Sequence, residues 1–307
     1  MASYEVRPIA EPEFDLAAKV ISDWQASFDS NFQEASVEEL QMFFTSRGDM
    51  TGHTNLLYEN GSEKVVGLAG LLEDPVRRKF WTETAALPGT EFIDDVVEVC
   101  IKTARRLHPD WKLEPVVNDL DLAQISSWEK RSFSKIQTSY SMLRENLSTD
   151  FPTLPTGASI RTLRTEDDWK SIHALQHDAF EGHFGFAPRS LESFKAFRLD
   201  SSTYDPEGII ILDLNGEDIG YVEVTSEIEH LNKGFVNIIG VKHSHHKQGW
   251  GKLLLNWTFS YSAKKGYEGV ELFVDIANKS GALKFYEDAG MKQLSAFSTY
   301  SNPAWAN

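Results

Sequence analysis

The chain has 307 residues, 41% of them apolar and 25% charged, ordinary figures for a soluble globular protein and more length than one core comfortably uses, so two domains are expected. Its formal net charge of −16 argues against a nucleic-acid surface, which needs clustered Lys and Arg to meet phosphates. The same charge would suit a cationic substrate, although an acidic coat also serves solubility alone. Cys100 is the single cysteine, which excludes an intramolecular disulfide and a thiolate metal site. No apolar stretch approaches the roughly 20 residues of a spanning helix. The start, Met1-Ala2-Ser3-Tyr4-Glu5, lacks the basic and apolar regions of a secretory signal. A cytoplasmic protein with no membrane partner is the simplest expectation.

Taken in order, Tyr4-Glu5-Val6-Arg7-Pro8 reads as an opening strand followed by an acidic helix start. A hairpin is expected from Leu56-Leu57-Tyr58 to Val65-Val66-Gly67, turning at Asn60-Gly61, because Asn-Gly tolerates the positive φ of type I′ turns. A β-rich stretch, Pro115-Val116-Val117, leads through Asn118-Asp119-Leu120-Asp121-Leu122-Ala123 into a helix carrying Trp128. The seam is Leu147-Ser148-Thr149-Asp150-Phe151-Pro152-Thr153-Leu154-Pro155-Thr156-Gly157, which has neither helical nor strand periodicity.

Beyond the seam the order repeats. Ser159-Ile160-Arg161-Thr162-Leu163 opens, and Ile209-Ile210-Ile211 turns at Asn215-Gly216 into Ile219-Gly220-Tyr221. Val270-Glu271-Leu272-Phe273-Val274 leads through Asn278 into a helix carrying Tyr286. Matching signals in both halves indicate an internal duplication of one mixed α/β unit. The expected division is a domain over 1–146, a linker over 147–158 and a second domain over 159–307. The fold class is α/β, of the α+β mixed-sheet kind.

The richest segment is Phe235-Val236-Asn237-Ile238-Ile239-Gly240-Val241, then Lys242-His243-Ser244-His245-His246-Lys247-Gln248-Gly249-Trp250-Gly251-Lys252. An apolar strand enters a polar loop with two glycines, and a helix starts there. Leu254, Leu255, Thr258, Phe259, Tyr261 and Ser262 form its stripe. Unpaired N–H groups at a helix start, with glycines that allow close approach, make an anion site suited to a pyrophosphate, and Lys247 and Lys252 could add charge. An ordinary strand-to-helix connection is the alternative, since Gly-x-Gly alone is weak. The third glycine of the dinucleotide fingerprint and the Gly-Lys-Ser/Thr of a P-loop are both missing.

Downstream, Asn278, Ala282, Tyr286, Gly290 and Met291 follow the spacing N-x-x-A-x-x-x-Y-x-x-x-G-F. His246-Lys247-Gln248-Gly249-Trp250-Gly251 follows R/Q-x-x-G-x-G/A. Together, over about residues 159–300, these motifs resemble the GNAT acetyltransferase superfamily. The chain resembles its tandem two-domain type, in overall length and in Asp178-Ala179-Phe180-Glu181-Gly182-His183-Phe184-Gly185 similar to the mycothiol synthases. The resemblance implies two tandem GNAT-like domains, the N-terminal one degenerate, and acetyl-CoA as co-substrate of the C-terminal one. It implies that Ile239 and Val241 offer backbone groups to the pantetheine arm and acyl carbonyl. His246, Lys247, Gln248, Gly249, Trp250, Gly251 and Lys252 would line the pyrophosphate cradle. Asn278 would meet the pantetheine side, and Tyr286 would protonate the departing thiolate. The activity implied is N-acetyl transfer to a primary amine of a small molecule by direct attack, without a covalent enzyme intermediate. No metal is expected, and a monomer or homodimer is compatible.

Two departures matter. His246 replaces the usual Arg or Gln. Phe235 stands where relatives that deprotonate the amine directly often carry Glu, and phenylalanine accepts no proton. Glu223, on Tyr221-Val222-Glu223-Val224-Thr225, is the substitute base, directly or through water; its alternative is a solvent-facing place on an alternating strand. Tyr286 could likewise simply pack. In the first half, Ala85-Ala86-Leu87-Pro88-Gly89-Thr90-Glu91-Phe92 replaces the glycine loop. Pro88 removes a donor, and Glu91, Asp94 and Asp95 bring like charge toward any phosphate, so no CoA is expected there. Cys100 reads as a small core residue rather than a nucleophile. The rival to an enzyme is a non-catalytic acyl-CoA-binding regulatory module.

Overall fold

A computed structural model describes residues 4–30, 32, 37, 53–89, 91–278 and 280–305. They form two compact units, Met1–Ser139 with Ser295–Asn307, and Tyr140–Leu294. Their boundaries differ from the division read from the sequence: 140–146 fall in the second unit and 295–305 in the first. The reason lies in two long strands, β7 (Ser134–Glu145, 12 residues) and β13 (Lys292–Ser301, 10 residues). Each strand crosses the boundary between the units, β7 between Ser139 and Tyr140 and β13 between Leu294 and Ser295.

In the first unit β1 (Tyr4–Pro8), β2 (Asn55–Glu59), β3 (Val65–Asp74), β4 (Lys79–Ala86) and β5 (Lys112–Leu113) lie side by side in chain order. The first three pairings are antiparallel and the last is parallel. Helix α1 (Phe14–Ala26) and α2 (Phe92–Leu107) cover the sheet. Helix α2 presents Ile93, Val96, Val97, Cys100 and Ala104 to the core, with Arg105 and Arg106 in its last turn, the amphipathic pattern of a half-buried helix. It approaches so closely that a Cβ on Gly67 would lie 2.5 Å from Val96 Cγ2, and only glycine fits. Strand β6 (Val116–Asn118) and α3 (Leu122–Glu129) follow, and Asp121 caps α3 by accepting from the Gln124 N–H.

The second unit repeats this plan. Strands β8 (Ala158–Thr162), β9 (Ile209–Leu214), β10 (Glu217–Thr225), β11 (Lys233–Val241) and β12 (Gly269–Asp275) are again neighbours in order. Three antiparallel pairings are again followed by a parallel one. Five strands with one pairing pattern, twice, carry the duplication beyond sequence spacing. The hairpins differ in detail. Asn215 and Gly216 both have positive φ, 54° and 88°, as a two-residue turn requires. In the first unit β2 and β3 are joined by the longer Asn60–Lys64, where only Gly61 is left-handed. The Asn-Gly pair therefore marks that turn without setting its length.

Helix α4 (Glu166–Phe180) starts with a reciprocal cap between Thr165 and Asp168; α5 (Leu191–Leu199), α6 (Trp250–Lys265) and α7 (Ala282–Asp288) complete the unit. Of the stripe expected on α6, Leu254, Leu255, Thr258, Phe259 and Ser262 are buried and Tyr261 is half-buried, and Leu253 and Trp257 are buried as well. The linker explains the difference. Ser260 Oγ donates to the Asp150 carbonyl at 2.6 Å, and Phe151 sits 5.7 Å from the Trp257 ring, so the connecting segment covers the side of α6 left over by the sheet.

Candidate functional site

The site begins with an irregularity in β11. Its register against β10 shifts between Glu223 and Val224: Ile238 faces Glu223, Val236 faces Val224, and Asn237 is the extra residue. Such a bulge bends a strand and ends regular pairing. Accordingly, β11 pairs with β12 only over Lys233–Phe235 against Gly269–Glu271, although both strands run on, to Val241 and Asp275. Beyond the bulge a gap opens between them. The Lys242 N–H donates to Ile219 O at 2.8 Å, toward β10. Because successive peptide groups alternate in direction along a strand, the N–H groups of Ile239 and Val241 point the other way, into the gap.

The strand runs into the glycine loop. Lys247 and Gly249 are both left-handed, at φ 61° and 92°, and Gly249 is the residue from which α6 starts. Left-handed residues alternating with right-handed ones turn successive N–H groups to one side, an anion-binding concavity that the helix dipole deepens. Nothing lies within 4 Å of the place a Gly249 Cβ would take, and Gly251 meets only Phe285, at 3.5 Å, so the approach to the loop is open. Side chains share the work unequally. Lys247 and Lys252 are exposed. Gln248 Nε2 donates to the Ser244 carbonyl at 3.3 Å, tightening the loop. Trp250 is buried in the core, leaving its backbone alone to face a phosphate. His246 lies with Nε2 at 2.8 Å from Val241 O, which pins the loop to the strand end.

Asn278 holds a turn: its Oδ1 accepts from the Ser280 N–H at 2.8 Å just ahead of α7. Tyr286, on α7, is 8% exposed, packed 5.1 Å from Phe285, and its hydroxyl has no hydrogen bond among the described residues. Burial alone pushes its phenol well above the ordinary value, so it stays protonated at neutral pH. Its counterpart in the first unit, Trp128, is wholly buried and meets Phe133 edge-on at 4.9 Å, a packing residue. Cys100 is fully buried, and burial drives its thiol far up, the opposite of what a nucleophile needs.

Glu223 does not face solvent. It is 3% exposed and ion-paired at 2.9 Å with Arg198, itself 6% exposed. Arg198 Nη2 also donates to Gln176 Oε1, which accepts from the Tyr221 hydroxyl at 3.2 Å as well. Sequence reasoning missed this network, since nothing in the spacing of α4, α5 and β10 pairs Gln176, Arg198 and Glu223. Phe235 is buried edge-on against Phe273 at 5.6 Å, a packing role. Among the described residues no group of three or more His, Cys, Asp or Glu side chains could hold a metal, and no helix is long and apolar enough to cross a membrane.

A strand that parts from its neighbour, a left-handed glycine loop at a helix start and a tyrosine on the following helix make up the candidate site. Residues 169–291 match the family model described as Acetyltransferase (GNAT) family, and the fold is a tandem GNAT-like one. A mycothiol acetyltransferase of Thermobispora bispora is 29% identical over 154 residues, 48% of this chain and 52% of that protein; the chain spans about half the length of the relative it matches. A GCN5-related N-acetyltransferase from Sphaerobacter thermophilus has a TM-score of 0.84 at 18% identity, covering 98% of this chain and 96% of the other. A tandem GNAT protein from the clavulanic acid biosynthesis pathway has a TM-score of 0.74 at 13% identity, covering 97% and 98%. At such identities the two structures speak for the fold.

Proposed function

We propose that the chain transfers an acetyl group from acetyl-CoA to a primary amine of a small molecule, with one CoA site, in the second unit. The observation that carries this reading is the left-handed Lys247–Gly249 loop at the start of α6, set beside strand N–H groups turned into the β11–β12 gap. The pyrophosphate lies in the loop, and the pantetheine arm runs along Ile239 and Val241, with Asn278 on its other side. The thioester carbonyl accepts from the Val241 N–H, which stabilises the oxyanion formed on attack. Holding amine and thioester together supplies much of the acceleration. As the C–S bond breaks, Tyr286 gives its phenolic proton to the thiolate. Glu223, its carboxylate held by Arg198, is placed to orient Arg198 and the strand rather than to receive a proton. The name of the Thermobispora relative puts a small molecule on the acceptor side, and that class is what we extend to this chain. The net charge of −16 favours a cationic one.

A second reading, an acyl-CoA-binding regulatory module, is supported by Phe235 and by the occupied carboxylate of Glu223. CoA-thiol release measured across a panel of small amines separates them. Amine-dependent release supports transfer; saturable acetyl-CoA binding with release no faster than hydrolysis across the panel supports the module.

A further inference from the structure

One group at the mouth of the gap remains to be explained. The last turn of α4 lies so close to β11 that a Cβ on Gly240 would sit 2.9 Å from Ala179 Cβ and 3.1 Å from Phe180 Cε2. Asp178 on that turn accepts from the backbone N–H of His243 at 2.8 Å and lies 3.3 Å from its Nδ1, so the helix end is tied to the loop that follows β11. The chain then turns sharply. The His183 N–H donates to Phe180 O at 3.0 Å and the Phe186 N–H to His183 O at 3.1 Å, with Gly182 and Gly185 left-handed at φ 81° and 70°. This turn holds the half-buried His183 ring 5.2 Å from that of Phe180. There it feels His243 and His246 after β11 and Asp275 at the end of β12. Those groups flank the gap on both sides. The ring nitrogens of His183 make no hydrogen bond among the described residues, so they remain available to a ligand.

We propose that His183 is the general base of the acyl transfer, taking a proton from the acceptor's ammonium before attack. The proposal rests on the acyl-transfer reading above. One ring nitrogen of neutral His183 accepts an ammonium proton, leaving a free amine. The amine lone pair forms the C–N bond at the thioester carbon, whose π pair moves to oxygen. Collapse expels the thiolate with the C–S pair. The thiolate ends protonated through Tyr286, the second nitrogen-bound proton makes good the phenol, and imidazolium releases the first to solvent. Burial, then His243 and His246, lower the His183 value, whereas Asp275 opposes them; Asp178 lies 3.3 Å from His243 Nδ1. A histidine shifted below its ordinary value is neutral through the physiological range and able to accept.

The test compares His183→Gln and Asp275→Asn with the wild type, on an amine that the wild type acetylates. Asn at 275 keeps the oxygen that accepts from the Ala277 N–H. H183Q is expected to lower kcat by about 10²-fold, leave acetyl-CoA affinity unchanged and abolish the acidic limb of the kcat–pH profile, with added imidazole restoring part of the rate. D275N removes a neighbouring negative charge, so it should move that limb to lower pH. A kcat for H183Q within about threefold of wild type, with the acidic limb intact, overturns the proposal, as does a limb unmoved in D275N. A wild type that binds acetyl-CoA yet acetylates no amine overturns the acyl-transfer reading, and this base with it. That failure is distinct, because it is seen before any variant is made.

Discussion

At the scale of single residues, the second unit keeps its polar groups in two states. Glu223, Arg198 and Gln176 saturate one another, whereas the Tyr286 hydroxyl and the His183 ring have no partner among the described residues. Burying a polar group without a partner costs stability, so open groups beside a gap mark where a ligand completes the hydrogen bonding. Tyr286 tests this directly. Phenylalanine keeps the packing against Phe285 and removes only the hydroxyl. Tyr286→Phe should therefore bind acetyl-CoA as the wild type does while turnover falls about 10²-fold, the lower range for a general acid. Calorimetric titration and thiol release measure the two effects separately, and unchanged turnover would leave the tyrosine a packing residue.

At the scale of elements, two helix starts do different work. Gly249, at φ 92°, begins α6 without a side-chain cap, so its N–H groups are left for a ligand. Gly249→Ala meets no neighbour but strains the backbone by about 1 kcal/mol and should weaken CoA binding. Gly249→Glu adds like charge at the pyrophosphate and should abolish it, with the melting temperature little lower than that of the alanine variant. The start of α4 is instead closed on itself. Burial alone would raise the Asp168 carboxyl, but bonds from Arg161, the Thr165 hydroxyl and the Thr165 and Arg164 N–H groups outweigh it and hold it at about 2. A folded-state value below the unfolded one stabilises the fold above the unfolded value and is lost as pH falls toward the folded one. Asp168 thus contributes about 2 kcal/mol at neutral pH, lost between about pH 4 and pH 2. Asp168→Asn should narrow the stability gap between neutral and acid solution by that amount in urea melts. A variant with the wild-type acid dependence would show that the cap carries no such linkage.

At the scale of the whole molecule, two units of one plan differ in charge where it matters. The first turn of α2 carries Asp94 and Asp95 behind Glu91, and Asp94 is bound by Lys130 and Arg131, so that helix start is filled by the protein's own ion pairs. The start of α6 carries no acidic residue in its first turn. One CoA per chain should therefore bind, and Gly249→Glu should remove all of it. A titration that finds two equivalent sites, or one surviving in that variant, would overturn the assignment.

The sequence by itself determined the duplicated order of strands and helices, the glycine loop opening a helix, and the tyrosine on the next one. These are local matters: alternation, helical spacing, Asn-Gly and Gly-x-Gly are written over a few consecutive residues, and the backbone obeys them wherever the chain is placed. Only the tertiary structure decided which polar groups are occupied and which are open. The bulge at Asn237 depends on the register between β10 and β11. Arg198 reaches Glu223 from α5, and the last turn of α4 lies against β11 because Gly240 leaves room for Ala179 and Phe180. Each depends on contacts between residues distant in the chain, which a one-dimensional pattern does not encode.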